Sequence, residues 1–141
     1  MSFREKAAWI TLVTTIAVFG GYVATVGRKL FMGRGGEGGF VGPLVAATLL
    51  LVILQGVLMT IAAATDPSAA KEPRDERERM IALRGGRAGF YALQVGAFAA
   101  ITTFFFWRDP LIMANAVFLA MGAGEAVRAS SQLIDYHRAV V

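Results

Sequence analysis

The sequence predicts an all-α fold, an integral membrane bundle of four transmembrane helices with a short cytoplasmic interfacial helix. Three observations carry that prediction. Charged residues make up 17% of the 141 positions, where an ordinary soluble domain carries about a quarter. They are bunched, leaving charge-free runs over 7–27, 38–65 and 88–107, and a fourth run from 110 that only Glu125 interrupts before Arg128. A helix needs roughly 20 apolar residues to cross a hydrocarbon layer about 30 Å thick, and four such runs leave little chain over. Finally, the 14 Lys and Arg residues divide unequally between the two sides that four spans imply.

The first span is expected over 7–27. Arg4 and Lys6 ahead of an apolar run also suit the start of a secretory signal. The run is longer than a usual signal core, however, and a small-x-small cleavage triplet is poorly marked, so an anchored helix is the expectation. The second span is expected over 40–65, after a glycine-rich exterior loop at 28–39. The third and fourth are expected over 88–107 and 110–129. Between them stand only Arg108 and Asp109, with Asp109 suited to an N-cap and Pro110 to the first helical position, where its missing N–H costs nothing. That predicts a tight antiparallel hairpin. The last helix is expected to continue into SSQLIDYHR, and the whole chain, 1–141, forms one membrane domain.

Orientation follows from the basic residues. Arg4, Lys6, Lys71, Arg74, Arg77, Arg79, Arg84, Arg87, Arg128 and Arg138 fall on one side, and Arg28, Lys29, Arg34 and Arg108 on the other. Basic residues concentrate on the cytoplasmic side, which places both termini and the charged segment 66–87 in the cytoplasm. Aromatic residues suit the same frame, with Trp9, Phe90 and Tyr91 at one interface and Phe104 to Trp107 at the other.

The charged segment EPRDERERMIALRGGRAGFYAL is the most distinctive stretch. Pro73 with Asp75, Glu76 and Glu78 resembles a helix start, since carboxylates there complement the macrodipole. Asp75–Arg79 and Arg74–Glu78 are spaced for helical ion pairs, and Gly85-Gly86 offers a place to bend or break before the third span. A short helix at the headgroups is expected, with Met80, Ile81 and Leu83 dipping into the boundary and Arg74, Asp75, Glu76, Arg77, Arg79, Arg84 and Arg87 offered to lipid or a partner. Nucleic-acid binding is not expected, because the acids nearly cancel the bases. The run DERERMIALRGGRAGFYAL resembles the loop of a family of small, uncharacterised four-span bacterial inner-membrane proteins. These carry a D-E-R-x-x-x-I charged run and spaced basic residues before the third helix. The matching positions are Asp75, Glu76, Arg77, Ile81, Arg84 and Arg87. The resemblance implies a multi-pass protein of the bacterial inner membrane and brings no activity with it.

Inside the spans, small residues recur at four-residue spacing: Ala92, Gly96 and Ala100 on the third helix, and Ala116, Ala120 and Gly124 on the fourth. Such stripes allow close backbone approach in lipid, where packing drives association. Glu125 is the one ionisable residue set within an apolar run. It stands three positions from Arg128, so interfacial pairing is expected over a proton or ligand role. Gln55 and Gln94 lie deeper and are expected to hydrogen-bond other helices. GRGGEG, Gly33 to Gly38, matches a dinucleotide-binding pattern but lacks the strand and helix that motif requires. His137 has no second ligand for zinc, and no cysteine is present. No catalytic, cofactor or metal site is expected. The reading that fits is a non-catalytic accessory or regulatory protein, acting with membrane lipids, other subunits or further copies of itself. The alternative is a small oligomeric transporter or channel using Glu125, Gln55 and Gln94.

Overall fold

The computed structural model describes residues 2–27 and 41–138. The expected loop 28–39, with its Gly33 to Gly38 motif, lies outside the described residues. Helix α1 spans Phe3–Tyr22 and continues as a π-helical turn, Val23–Gly27; α2 spans Val41–Thr65, α3 Pro67–Lys71, α4 Glu76–Trp107 and α5 Pro110–Arg138. Among the described residues there is no strand. Four helices, the first counted together with its π turn, are long and apolar enough to cross a membrane. The all-α membrane bundle that the sequence predicts is the fold, and the protein is a multi-pass membrane protein.

Helices α1, α3, α4 and α5 begin where local side chains satisfy orphan N–H groups. Ser2 caps α1 by accepting from the Glu5 N–H at 3.2 Å, and Asp66 caps α3 by accepting from the Ala69 N–H at 3.2 Å. That contact, with the Ser68 hydroxyl, holds the Asp66 carboxyl below its usual range. Asp75 accepts from the Glu78 N–H at 2.6 Å to start α4. At the other end of α4, Arg108 takes the left-handed conformation (φ 51°) and donates its N–H to the Phe104 carbonyl at 2.8 Å. This is the usual geometry for stopping a helix. Asp109 then accepts from the Leu111 N–H at 2.8 Å, and Pro110 opens α5. The predicted hairpin is therefore present, with the two-residue connection that the sequence suggests.

The charged segment differs from expectation. A short helix does lie between the second and third spans, but it is α3, Pro67–Lys71. The charged run Glu76–Arg87 belongs to α4, which passes through Gly85-Gly86 without interruption. The expectation of a break there fails for a packing reason. Gly85 is buried against α5, so the glycine serves close approach of two helices and not a hinge. A Cβ placed on it would come within 3.0 Å of the Arg128 carbonyl oxygen and 2.5 Å of the Gln132 Cγ. Ile81 is likewise buried (5% exposed) rather than free to dip into lipid.

The helices pack as a row: α2 on α1, α1 on α5, and α5 on α4, the last pair being by far the most extensive. The apolar core joins α1, α2 and α5 towards the hairpin end, where Val18, Tyr22, Val26, Ala47 and Phe118 are buried and Leu44, Leu51 and Leu54 flank them. Phe118 lies between Phe19 (centroids 4.7 Å, rings tilted) and Tyr22 (5.0 Å, edge to face). On α2 only Ala47 is buried; its remaining surface suits lipid, which surrounds apolar side chains at no hydrophobic penalty.

Candidate functional site

The end of the bundle that carries the termini holds the polar chemistry. A cleft of about 190 Å³ opens there, and all four long helices or their leading segments contribute to it. From α1 come Arg4, Ala7, Ala8 and Thr11, and from α2 Met59. Arg74, Glu78 and Ala82 enter from the start of α4, and Arg128, Gln132 and Tyr136 from α5. A second cleft, of about 240 Å³, adjoins it and is acidic, lined by Asp66, Glu72, Asp75 and Glu78, with Arg4 and Glu78 shared between the two. Arg4 donates to the Glu72 carbonyl at 3.4 Å. Burial pushes the Tyr136 phenol above its ordinary range, Glu78 adds to the rise, and Arg4 and Arg74 oppose it. A tyrosine phenol is protonated at physiological pH and can donate a hydrogen bond.

The outer residues of the charged segment form a surface and not a pocket. Arg79 and Arg87 are exposed on α4, and Arg77 and Arg84 border an open hollow of about 370 Å³ with Asp135 and Arg138 of α5. Asp75 is engaged as a cap, Glu76 is exposed in the first turn, and Arg74 faces the cleft. The helical pairs expected at Asp75–Arg79 and Arg74–Glu78 do not form. Among the described residues the one ion pair within 4 Å is Arg128–Glu125, at 2.6 Å. That pair is the interfacial partnership the sequence suggests for Glu125.

Within the spans, a line of polar side chains runs along α1. Thr11, Thr14 and Thr15 are all buried, and the Thr14 hydroxyl donates to the Ile10 carbonyl at 2.6 Å. Gln55 of α2 donates to the Thr14 hydroxyl at 3.2 Å and to that of Thr15 at 3.5 Å, the helix-to-helix role expected of it. Further along, the Tyr22 hydroxyl donates to the Asn115 carbonyl oxygen, while the Asn115 amide donates to Leu111 O at 2.8 Å. Every buried side-chain polar atom among the described residues has a partner. Gln94 behaves otherwise. It is exposed beside Tyr91 and Phe98 on α4 and makes no hydrogen bond among the described residues. Glu125, Gln55 and Gln94 thus lie at three separate places and do not converge within one copy.

Of the small residues expected to pack, Gly96 and Ala120 meet across α4 and α5, and Gly124 lies against Gly89 and Leu93. Ala100, Ala120 and Gly124 are buried, and Ala92, Gly96 and Ala116 are half-buried. A Cβ on Gly96 would stand 2.7 Å from the Ala120 Cβ, and one on Gly124 would stand 3.2 Å from the Gly89 carbonyl oxygen. The sequence reading missed three positions. Gly85 and Gly89 extend the stripe towards the charged end, and a Cβ on Gly89 would come within 2.8 Å of both Gly124 O and Arg128 Cβ. Their G-x-x-x-G spacing was a legible signal, obscured by reading Gly85-Gly86 as a hinge. Gly122, on another face of α5, receives the Phe19 ring of α1. Thr11, Thr14, Thr15, Tyr22 and Asn115 were also missed, because Thr and Tyr are unremarkable in apolar helices until a partner is placed beside them. Comparison with protein-family models, with curated proteins and with solved structures finds no match.

Proposed function

We propose that this is a non-catalytic membrane protein that works by contact. It would serve as an accessory or regulatory subunit of a larger assembly, or as a homo-oligomer, in the bacterial inner membrane with both termini in the cytoplasm. One observation supports this above the others: the charged segment is the rigid continuation of a membrane span. Residues 76–87 extend α4 by about 18 Å at 1.5 Å per residue, and α5 runs beside them through Arg138. A paired projection of this kind holds Arg77, Arg79, Arg84 and Arg87 in fixed relative positions. That lowers the ordering cost of docking, which a flexible loop would have to meet on binding. Two further features agree with it. The buried polar groups of the spans are satisfied by each other and by helix carbonyls, and Gln94, exposed on α4, makes no hydrogen bond among the described residues.

The test is purification of the full-length protein from gently solubilised membranes, followed by native mass measurement. The expected result is a defined complex, with other polypeptides or with further copies. Reversing three outer charges, Arg77→Glu, Arg79→Glu and Arg84→Glu, is expected to dissolve it while helix content is retained. A monomer in both cases overturns the proposal. A vesicle ion flux abolished by Glu125→Gln would favour the transporter reading in its place.

A further inference from the structure

The cleft at the charged end has a composition that docking by the outer arginines does not use. Three arginines enter it from three separate elements: Arg4 from the first turn of α1, Arg74 from the segment before α4, and Arg128 from α5. One carboxylate, Glu78, faces them. Their donors are largely unspent. Among the described residues Arg4 makes one long hydrogen bond, to a backbone carbonyl, and Arg74 makes none. Arg128 gives Nε and Nη2 to a single oxygen of Glu125 at 2.9 and 2.6 Å, and its Nη1 has no partner among those residues. Like charges lining one cleft repel one another, and guanidinium forks pair bidentately with carboxylate or phosphate oxygens; a phosphate has enough oxygens to engage three of them at once.

The remaining lining points the same way. Gln132 and Tyr136 add neutral donors on the α5 side, so an anion would meet hydrogen-bond donors beyond the arginines. Gly85 is what makes room for Gln132, since any side chain there would displace its Cγ. On the side facing the spans the wall turns apolar, with Ala7, Ala8 and Met59. The cleft therefore grades from charge to hydrocarbon within one cavity.

We propose that this cleft binds a phosphate group, held by Arg4, Arg74 and Arg128 with Gln132 and Tyr136 as neutral donors. The group is either carried on a lipid headgroup or free in solution. In the first case the glycerol end of the headgroup lies against Met59 and Ala7.

The experiment uses the full-length protein in detergent micelles and reads thermal stability, because a ligand that binds only the folded state raises it. Phosphatidylglycerol in mixed micelles is one titrant and inorganic phosphate, at matched ionic strength, the other. The cleft variant is Arg4→Gln with Arg74→Gln. The control, Lys71→Gln with Arg138→Gln, removes the same charge at exposed positions outside the cleft. The expected result is a rise in stability whose half-saturating concentration increases at least tenfold in the cleft variant and stays within twofold in the control. A response to the lipid alone identifies a headgroup site, and a response to inorganic phosphate identifies a site for the phosphate itself. If neither titrant stabilises the protein, or both variants weaken binding equally, the proposal is overturned. Arg74→Gln alone guards against misfolding, since Arg74 lies outside any helix and makes no hydrogen bond among the described residues; the same directional result is expected from it.

Discussion

The α4–α5 pair and the α1–α2 pair solve one problem in different ways. Both must hold helices together where lipid tails compete on equal terms with apolar side chains, so burial of Leu or Val gives little net attraction. The α4–α5 pair uses absence of side chains. Gly85, Gly89, Gly96 and Gly124 let the two backbones approach until a single added carbon would collide. The α1–α2 pair uses large residues, Leu44, Leu51 and Leu54 against Val18, Tyr22 and Val26, fastened by the Gln55 amide on two threonines. The most apolar helix of the four, α2, is the least buried. Hydrophobicity thus places a helix in the membrane, while small residues and hydrogen bonds choose its neighbours.

The largest expected effect breaks the glycine side of this comparison. Gly89→Leu puts a branched side chain where 2.8 Å separates a Cβ from the Gly124 carbonyl oxygen. Because the obstacle is backbone, α4 and α5 must part, at a cost of about 3 kcal/mol. Gly56→Leu, on α2, meets nothing within 4 Å and is expected to change stability by less than about 0.5 kcal/mol. Unfolding in detergent micelles measures both, and equal effects at the two sites would remove the distinction drawn here.

A smaller effect sharpens the boundary between the pairs, where α1 meets α5. Tyr22→Phe removes the donor to Asn115 and leaves a buried carbonyl oxygen without that partner. The expected loss is about 1–2 kcal/mol, seen in the same unfolding measurement, and Asn115→Leu with Tyr22→Phe together should cost less than the sum of the two alone.

The smallest effect concerns α2. Gln55→Leu should weaken its hold on α1 by about 0.6 kcal/mol, the average for hydrogen bonds between helices in membranes. A double-mutant cycle with Thr14→Val checks this, and a coupling energy of zero would show that shape alone seats α2.

Much of this was legible in the sequence for local reasons. Asp109-Pro110 marks a helix start by its own chemistry, and the Glu125–Arg128 pair follows from three-residue spacing on one helix. The stripe Gly96, Ala120 and Gly124 could be read because small residues at regular spacing leave few other uses for a helix face. Gly85 was misread, since a glycine pair looks the same in sequence whether it bends a helix or admits a neighbour. The threonines of α1 could not be ranked, because a Thr hydroxyl is satisfied by its own helix unless another side chain arrives.

The amino-acid order by itself determined that four helices enter the membrane and where the hairpin turns. Run length and capping are properties of neighbouring residues, and a hydrocarbon layer about 30 Å thick admits few other answers. Only the tertiary structure decided the rest: the row α2–α1–α5–α4, the unbroken projection of α4, and the meeting of Arg4, Arg74 and Arg128 in one cleft. Those arginines stand 70 and 54 positions apart in the chain. In lipid no hydrophobic gradient favours one helix pairing over another, so the close contacts made at glycines and buried amides select it.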